Sequence, residues 1–179
     1  LQPTAPRATV VKEPEAKPAM AQPQSMILVM ADAGYAPGSG ELSYGGVAGW
    51  AKEFGGYVRY RSSFSGVATQ YSVGGGQSDV WLDGTVRTSR TLFCAGGLIR
   101  VSNAFYPYVG AGYGSRNAYG RAIMANCAEN WASLSAFSYS GFAIEVGVVF
   151  RLGKAALSLG ANCTALRYTD VDLGIGISF

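Results

Sequence analysis

The main pattern in this chain is an alternation of apolar and polar residues with a period of two. It is longest between Tyr168 and Phe179, where one face of the stretch is apolar and the other carries aspartate, glycine and serine. Because successive side chains of a β-strand leave the pleat on opposite sides, this pattern predicts a two-faced strand. The apolar face consists of Thr169, Val171, Leu173, Ile175, Ile177 and Phe179.

Weaker forms of the same alternation predict eight strands in all. The connections near residues 52, 104 and 153 are short, whereas residues 65–84 and 117–137 are predicted to form long loops. Long loops on one side and short turns on the other are typical of membrane-spanning β-barrels with an even number of strands. We therefore predict an all-β fold, an eight-stranded antiparallel up-and-down transmembrane β-barrel with a disordered N-terminal linker. The predicted strands span residues 26–35, 42–50, 54–63, 85–102, 108–116, 138–151, 155–164 and 168–179.

The outward faces of these strands are expected to carry valine, isoleucine, leucine, alanine and phenylalanine without charge, as a hydrocarbon environment requires. Aromatic residues collect near the predicted strand ends, which suits the two interfaces of a bilayer. Trp50, Phe54, Phe105, Phe150 and Phe179 fall at the rim with short turns, and Tyr35, Tyr44 and Phe142 fall toward the other rim.

The inward faces are expected to carry the charged residues. An eight-stranded barrel has just enough room for side chains to fill it, and an unpaired charge in so narrow a space would be costly. We therefore predict a filled interior held by ion pairs rather than an open pore. The predicted members of this charge network are Asp32, Arg59, Arg61, Arg100, Arg116, Glu145, Asp170 and Asp172.

Composition divides the chain near residue 25. Five of the seven prolines lie within the first 24 residues, whereas all 25 glycines follow residue 33. This predicts a proline-rich linker over residues 1–25 and a barrel over residues 26–179. Charged residues make up only 14% of the chain, against about 25% in typical soluble domains.

Little in the sequence points to catalysis or to a cofactor. The chain has no histidine, which removes the commonest general base and metal ligand. Its cysteines, Cys94, Cys127 and Cys163, are far apart and lack metal-site spacing. A net charge of +3 without a basic run gives no indication of nucleic-acid binding. We expect no catalytic residues, no cofactor, no metal and no nucleic-acid partner.

The body of the chain resembles the small eight-stranded outer-membrane β-barrels of Gram-negative bacteria. The segments 44–50, 54–61 and 108–113 are similar to barrels of the Bacteroidota type, and residues 173–179 resemble the C-terminal β-signal that the barrel-assembly machinery reads. The resemblance implies location in the bacterial outer membrane, with the linker in the periplasm. It also implies the lipid bilayer and the assembly machinery as partners, with a periplasmic or outer-membrane protein as a further candidate. The implied assembly-signal residues are Leu173, Ile175, Ile177 and Phe179.

Three functions remain open from the sequence. The leading hypothesis is a non-enzymatic membrane anchor, which tethers an N-terminal periplasmic region and presents two long extracellular loops. The first alternative is a lipocalin-like barrel for a small apolar ligand, which requires an apolar interior and a polar exterior. The second is a lipid-modifying outer-membrane enzyme, for which the sequence offers no candidate base. Because the chain begins at Leu1 rather than methionine, a further segment is expected to precede it.

Overall fold

The computed structural model describes residues 25–63, 70–71, 80–124 and 129–179. Residues 1–24 of the predicted linker and Cys127 lie outside the described residues. No helix in the described ranges is long and apolar enough to cross a membrane. A short 3₁₀ helix, η1, covers Ser135–Phe137. The strands are β1 (Met26–Ala36), β2 (Glu41–Ala51), β3 (Phe54–Ser62), β4 (Gln70–Tyr71), β5 (Val80–Ile99), β6 (Phe105–Met124), β7 (Glu129–Ser133), β8 (Tyr139–Leu152), β9 (Ala155–Thr164) and β10 (Tyr168–Ser178).

Eight of these strands form a closed antiparallel barrel. Strands β1, β2, β3, β5, β6, β8, β9 and β10 each pair with the next in this order. Pairing between β1 and β10, from Leu28 opposite Ser178 to Tyr35 opposite Val171, completes the ring. Closure leaves no unpaired edge in the barrel wall, which a lipid environment demands of any sheet. The predicted eight-stranded antiparallel barrel is confirmed.

The two predicted long loops are wrong in part. Residues 80–84 belong to β5, and residues 117–124 belong to β6, so these two strands continue as a hairpin beyond the barrel wall. Strand β7 adds to the β6 side of this hairpin, and the short β4 pairs in parallel with β7. The alternation of β5 breaks because the register shifts between Leu82 and Val86. The rest of the predicted loops, residues 65–69, 72–79 and 125–128, lies outside the described residues.

The side-chain directions follow the alternation that the sequence shows. In β10, Val171, Leu173, Ile175 and Ile177 are exposed. The residues that alternate with them include Asp170, Asp172 and Ser178, which are buried. The aromatic residues predicted for the rims also lie on the outer surface, and Phe105 packs against Phe150 with ring centroids 5.5 Å apart. A continuous exposed apolar surface of this kind is stable only against hydrocarbon. The wall therefore has the surface of a transmembrane barrel.

The interior changes character along the barrel axis. An apolar cluster fills the end with short turns, which we call the short-turn end. It consists of Met26, Leu28, Met30, Val47, Ala51, Tyr57, Leu98, Tyr106, Tyr108, Val149 and Ala156. Charged side chains occupy the middle and the opposite end, which we call the long-loop end. One cavity in the apolar part and one near the long-loop end each have a volume of about 10 Å³. Each is just large enough for one water molecule.

A charge on the outer wall should be costly in proportion to its depth. Leu173 lies near the middle of β10 and is 63% exposed, while Val101 lies in a turn at the short-turn end and is 66% exposed. We expect Leu173→Arg to lower the free energy of unfolding by about 2–4 kcal/mol, and Val101→Arg by about 0–1 kcal/mol. Denaturant-induced unfolding from lipid vesicles measures both values. Equal costs at the two positions would contradict a lipid-facing wall.

Candidate functional site

The interior of the barrel contains one guanidinium group that three carboxylates share. Arg59 enters from β3 because it alternates with the outward-facing Val58 and Tyr60. Its Nη1 donates to Glu145 at 3.0 Å and to Asp172 at 2.8 Å, and its Nε lies 3.4 Å from Asp32. These carboxylates come from β8, β10 and β1, so one side chain links four strands across the barrel.

Tyr108 completes the environment of Arg59. Its hydroxyl accepts a hydrogen bond from Arg59 Nη2 at 3.0 Å and donates one to Asp172 at 3.2 Å. The guanidinium carbon also lies 5.1 Å from the centre of the Tyr108 ring, and Tyr57 packs edge-on against that ring. The tyrosine therefore lies between the apolar cluster and the charged layer, with its ring in one and its hydroxyl in the other.

Arg61 is held by charge and by shape. Its side chain is fully buried, with Nε 3.5 Å from Asp32 and Nη1 3.9 Å from Asp172. These distances are long for hydrogen bonds, so the attraction is mainly electrostatic. Gly34 makes the room, because a Cβ built at this position would lie 2.1 Å from Arg61 Nη1.

A second charged layer lies nearer the long-loop end. Arg90 of β5 donates to both oxygens of Asp170, at 2.7 and 2.6 Å, and its Nε lies 3.7 Å from Glu41. Arg116 of β6 donates to Glu41 from Nε at 3.0 Å and from Nη2 at 2.6 Å. Glu41 thus joins two arginines, and each layer contains more than one ion pair.

The structure places seven of the eight predicted charged residues in these two layers. The prediction for Arg100 is wrong, because it follows the end of β5 in the turn at the short-turn end, where its guanidinium binds Asn103. Sequence reasoning missed Glu41 and Arg90. Glu41 would have been found by extending the alternation of its predicted strand by one residue, since it lies on the face opposite Leu42. Arg90 lies within the predicted strand 85–102, on the face opposite Phe93, so the alternation in the second half of that strand already places it inward.

The contacts of these charged residues indicate a structural role. Asp170 and Asp172, which could have formed a catalytic pair by spacing alone, bind different arginines. Among the described residues, no group of three or more cysteines and acids is placed to hold a metal ion. Five carboxylates and four guanidinium groups in the two layers leave a formal charge of −1.

Removing Arg59 should be far more costly than removing an arginine at the rim. Arg59→Met leaves three buried carboxylates without their shared cation, so we expect a loss of about 3–5 kcal/mol in the free energy of unfolding. The matched change Arg100→Met should stay within about 0.5 kcal/mol of the original protein. Adding Glu145→Gln to Arg59→Met should recover part of the loss, which a double-mutant cycle measures. Identical stabilities of the two single variants would refute the network.

Gly160 provides a second test of the interior. A Cβ at this position would lie 2.1 Å from the Tyr108 hydroxyl and 2.8 Å from Asp172, whereas a Cβ at Gly38 would meet nothing within 4 Å. We expect Gly160→Ala to lower the free energy of unfolding by about 1–3 kcal/mol and Gly38→Ala to leave it nearly unchanged. In a Tyr108→Phe background the cost of Gly160→Ala should shrink. An unchanged cost there would show that the hydroxyl is not the obstacle.

Comparisons with known proteins give a shared fold and no closer relationship. No protein-family model matches the chain, and no curated protein matches it. The crystal structure of Ail, the attachment invasion locus protein of Yersinia pestis, is similar over 87% of this chain and 95% of that one, with 14% identity and a TM-score of 0.53. Ail in complex with the heparin analogue sucrose octasulfate is similar over 87% and 96%, with 12% identity and a TM-score of 0.51. This chain therefore has the fold of an outer-membrane β-barrel.

Proposed function

We propose that this chain is a non-enzymatic outer-membrane β-barrel of a Gram-negative bacterium, of the Bacteroidota type that its segments resemble. Its role is to anchor the proline-rich region over residues 1–25 and to present the long-loop end outside the cell. The observation that carries this proposal is the division of the wall into an apolar outer face and a paired, charged inner face. Such a barrel is stable in lipid and has its interior occupied by its own side chains.

The alternative functions fit this geometry less well. A lipocalin-like barrel needs an apolar interior and a polar outer surface. The described residues form an apolar outer surface, and the interior is charged in its middle and at the long-loop end. A lipid-modifying enzyme needs an acid or base that is free to react. Each buried acid of the two layers lies within ion-pair distance of an arginine. These groups are better suited to hold strands together than to transfer protons.

The positions of the two ends of the barrel support one direction of insertion. The backbone N–H of Ile27 donates to the carbonyl of Phe179 at 3.0 Å, and the reverse hydrogen bond measures 2.9 Å. Both ends of the described barrel therefore lie at the short-turn end, and the proline-rich region joins the barrel there. Outer-membrane barrels keep their short turns on the periplasmic side. The linker would then lie in the periplasm, where it could connect to a protein or domain of that compartment.

We also infer that the outer face of β10 is the surface that the barrel-assembly machinery recognises. The four residues expected from the sequence, Leu173, Ile175, Ile177 and Phe179, are all exposed on that face. An extended segment with apolar side chains at every second position suits recognition by strand addition, in which the backbone provides affinity and alternate side chains provide specificity.

Protease access on intact cells tests the topology. A short protease site inserted between Gly38 and Ser39 would lie in a turn at the long-loop end, and the same site between Gly153 and Lys154 would lie in a turn at the short-turn end. We expect protease added to intact cells to cleave the first variant and to leave the second uncut. Residues 1–24 should also remain intact until the outer membrane is opened.

The opposite cleavage pattern would overturn the proposed orientation and, with it, the periplasmic anchor. Permeabilised cells are the control, because both inserted sites should then be cut. Mass spectrometry of membrane lipids with and without expression tests the non-enzymatic part of the proposal. A new lipid species that requires this chain would show that the barrel is an enzyme.

A further inference from the structure

An open cleft at the long-loop end has the size of a small-molecule site. Its volume is about 600 Å³, within the range of about 300–1,000 Å³ that ligand pockets occupy. Four structural parts meet there: the turn between β1 and β2, β6 at Arg116, the start of β8 with η1, and the turn between β9 and β10. The lining residues are Ala36, Pro37, Gly38, Ser39, Arg116, Phe137, Tyr139, Arg167, Tyr168, Thr169 and Asp170. Arg116 and Asp170 also belong to the second charged layer, whereas the other lining residues belong to neither layer.

One cation in the cleft, Arg167, has no carboxylate partner in the part of the chain that the structure describes. Arg116 and Arg90 are neutralised by Glu41 and Asp170. Arg167 lies 5.6 Å from the centre of the Tyr168 ring, and among the described residues no carboxylate lies within ion-pair distance of its guanidinium. A guanidinium that packs on a ring keeps its N–H groups available at the edge, where a planar oxyanion can accept two hydrogen bonds. The cleft therefore favours an anionic group.

Aromatic side chains form much of the remaining wall. Tyr139 and Tyr168 stack with their centroids 3.7 Å apart and their planes 6° from parallel. Phe137 is 64% exposed, and the carbonyl of the same residue accepts a hydrogen bond from Arg116, which holds η1 against β6. An exposed ring on a fixed backbone offers an apolar surface that a ligand could cover. The exposed side chain of Ser39 adds a hydroxyl group at the edge.

The turn that carries Arg167 is conformationally unfavourable. Ala165 and Leu166 both have a φ angle of 54°, which is in the left-handed region that residues other than glycine rarely adopt. Hairpin turns of this shape usually contain asparagine and glycine. Here the turn instead places Leu166 at its tip, 76% exposed, directly before Arg167. The residues of this turn are therefore not those that stabilise its backbone conformation best. Unfavourable backbone conformations of this kind are common at ligand-binding sites.

We propose that this cleft binds a saccharide unit that carries one acidic group. The carboxylate or phosphate of the sugar accepts hydrogen bonds from Arg167, the C–H face of its ring covers Phe137, and one of its hydroxyls binds Ser39. A simple inorganic anion would use the arginine alone and would leave the aromatic wall exposed. A fatty acyl chain would leave the hydroxyl group of Ser39 without a partner. The acidic sugar is the class of molecule that uses all three kinds of group.

The test uses the full chain in detergent micelles and follows backbone amide shifts by nuclear magnetic resonance. The probes are methyl glucuronide, its neutral counterpart methyl glucoside, and inorganic phosphate. We expect saturable shifts with methyl glucuronide at residues 37–39, 137–139 and 167–170, and none at the turns near residues 52 and 153. Methyl glucoside and phosphate should each bind at least about tenfold more weakly, because each lacks one half of the interaction.

Two variants separate the roles of charge and surface. Arg167→Gln should weaken binding of methyl glucuronide about tenfold, and Phe137→Ala should weaken both sugars. Arg151→Gln at the opposite end of the barrel is the matched control, and it should bind as the original protein does. The inference is overturned if phosphate binds as well as the glucuronide, if Arg167→Gln binds unchanged, or if the glucuronide gives no saturable shift.

The source of the sugar can be distinguished in lipid nanodiscs. A glucuronosyl lipid included in the bilayer presents the same acidic ring from the membrane surface, whereas methyl glucuronide presents it from solution. Shifts at residues 167–170 with the lipid identify a membrane glycolipid as the ligand. Shifts with the soluble sugar alone identify a free or polymer-borne saccharide. Both results support the acidic-sugar site, and the absence of shifts in both arms excludes it.

Discussion

A guanidinium group removed from water must be surrounded by anions and acceptors, and this requirement at Arg59 organises the barrel. The side chain draws carboxylates from β1, β8 and β10 to one point and adds the hydroxyl of Tyr108 from β6. These strands lie on different sides of the ring, so their positions along the axis cannot be changed independently. A shift of one residue in any strand would turn its charged side chain into lipid and leave a charge inside without a partner. The ion pairs thus help to specify the register, beyond any net contribution to stability.

The two ends of the barrel interior are held together by different kinds of contact. At the short-turn end, methionine, leucine and tyrosine fill the space by shape, and each can adapt to small changes in its neighbours. Toward the long-loop end the contacts are directional, with short hydrogen bonds between Arg90 and Asp170 and between Arg116 and Glu41. The polar half therefore tolerates less change in shape than the apolar half. Glycines such as Gly34 and Gly160 lie where large polar groups need the space.

Much of this architecture could be predicted because period-two alternation is strong wherever one face meets lipid. The strand count, the barrel class and the inward position of Arg59, Arg61, Glu145 and Asp172 all follow from that alternation. It fails where the lipid ends. Residues 80–84 and 117–124 lie in the part of the hairpin where both faces can meet water, so they have no reason to alternate and were interpreted as loops. Arg100 was misplaced because the predicted strand ran to residue 102, whereas β5 ends at Ile99. Arg100 therefore lies in the turn and not in the barrel wall. The partnership of Glu41 with two arginines depends on neighbours 49 and 75 positions away, which no local pattern contains.

The unequal lengths of the strands give the barrel a lopsided rim. Strands β1, β2, β9 and β10 end near residues 36, 41, 164 and 168, whereas β5 continues about eleven residues beyond its last partner in β3. At about 3.3 Å per residue this amounts to roughly 36 Å of extra strand length on one side. A large molecule approaching over the tall side would collide with the hairpin, while one approaching over the low side would find the mouth of the barrel uncovered by it. Access to this end of the molecule is therefore directional.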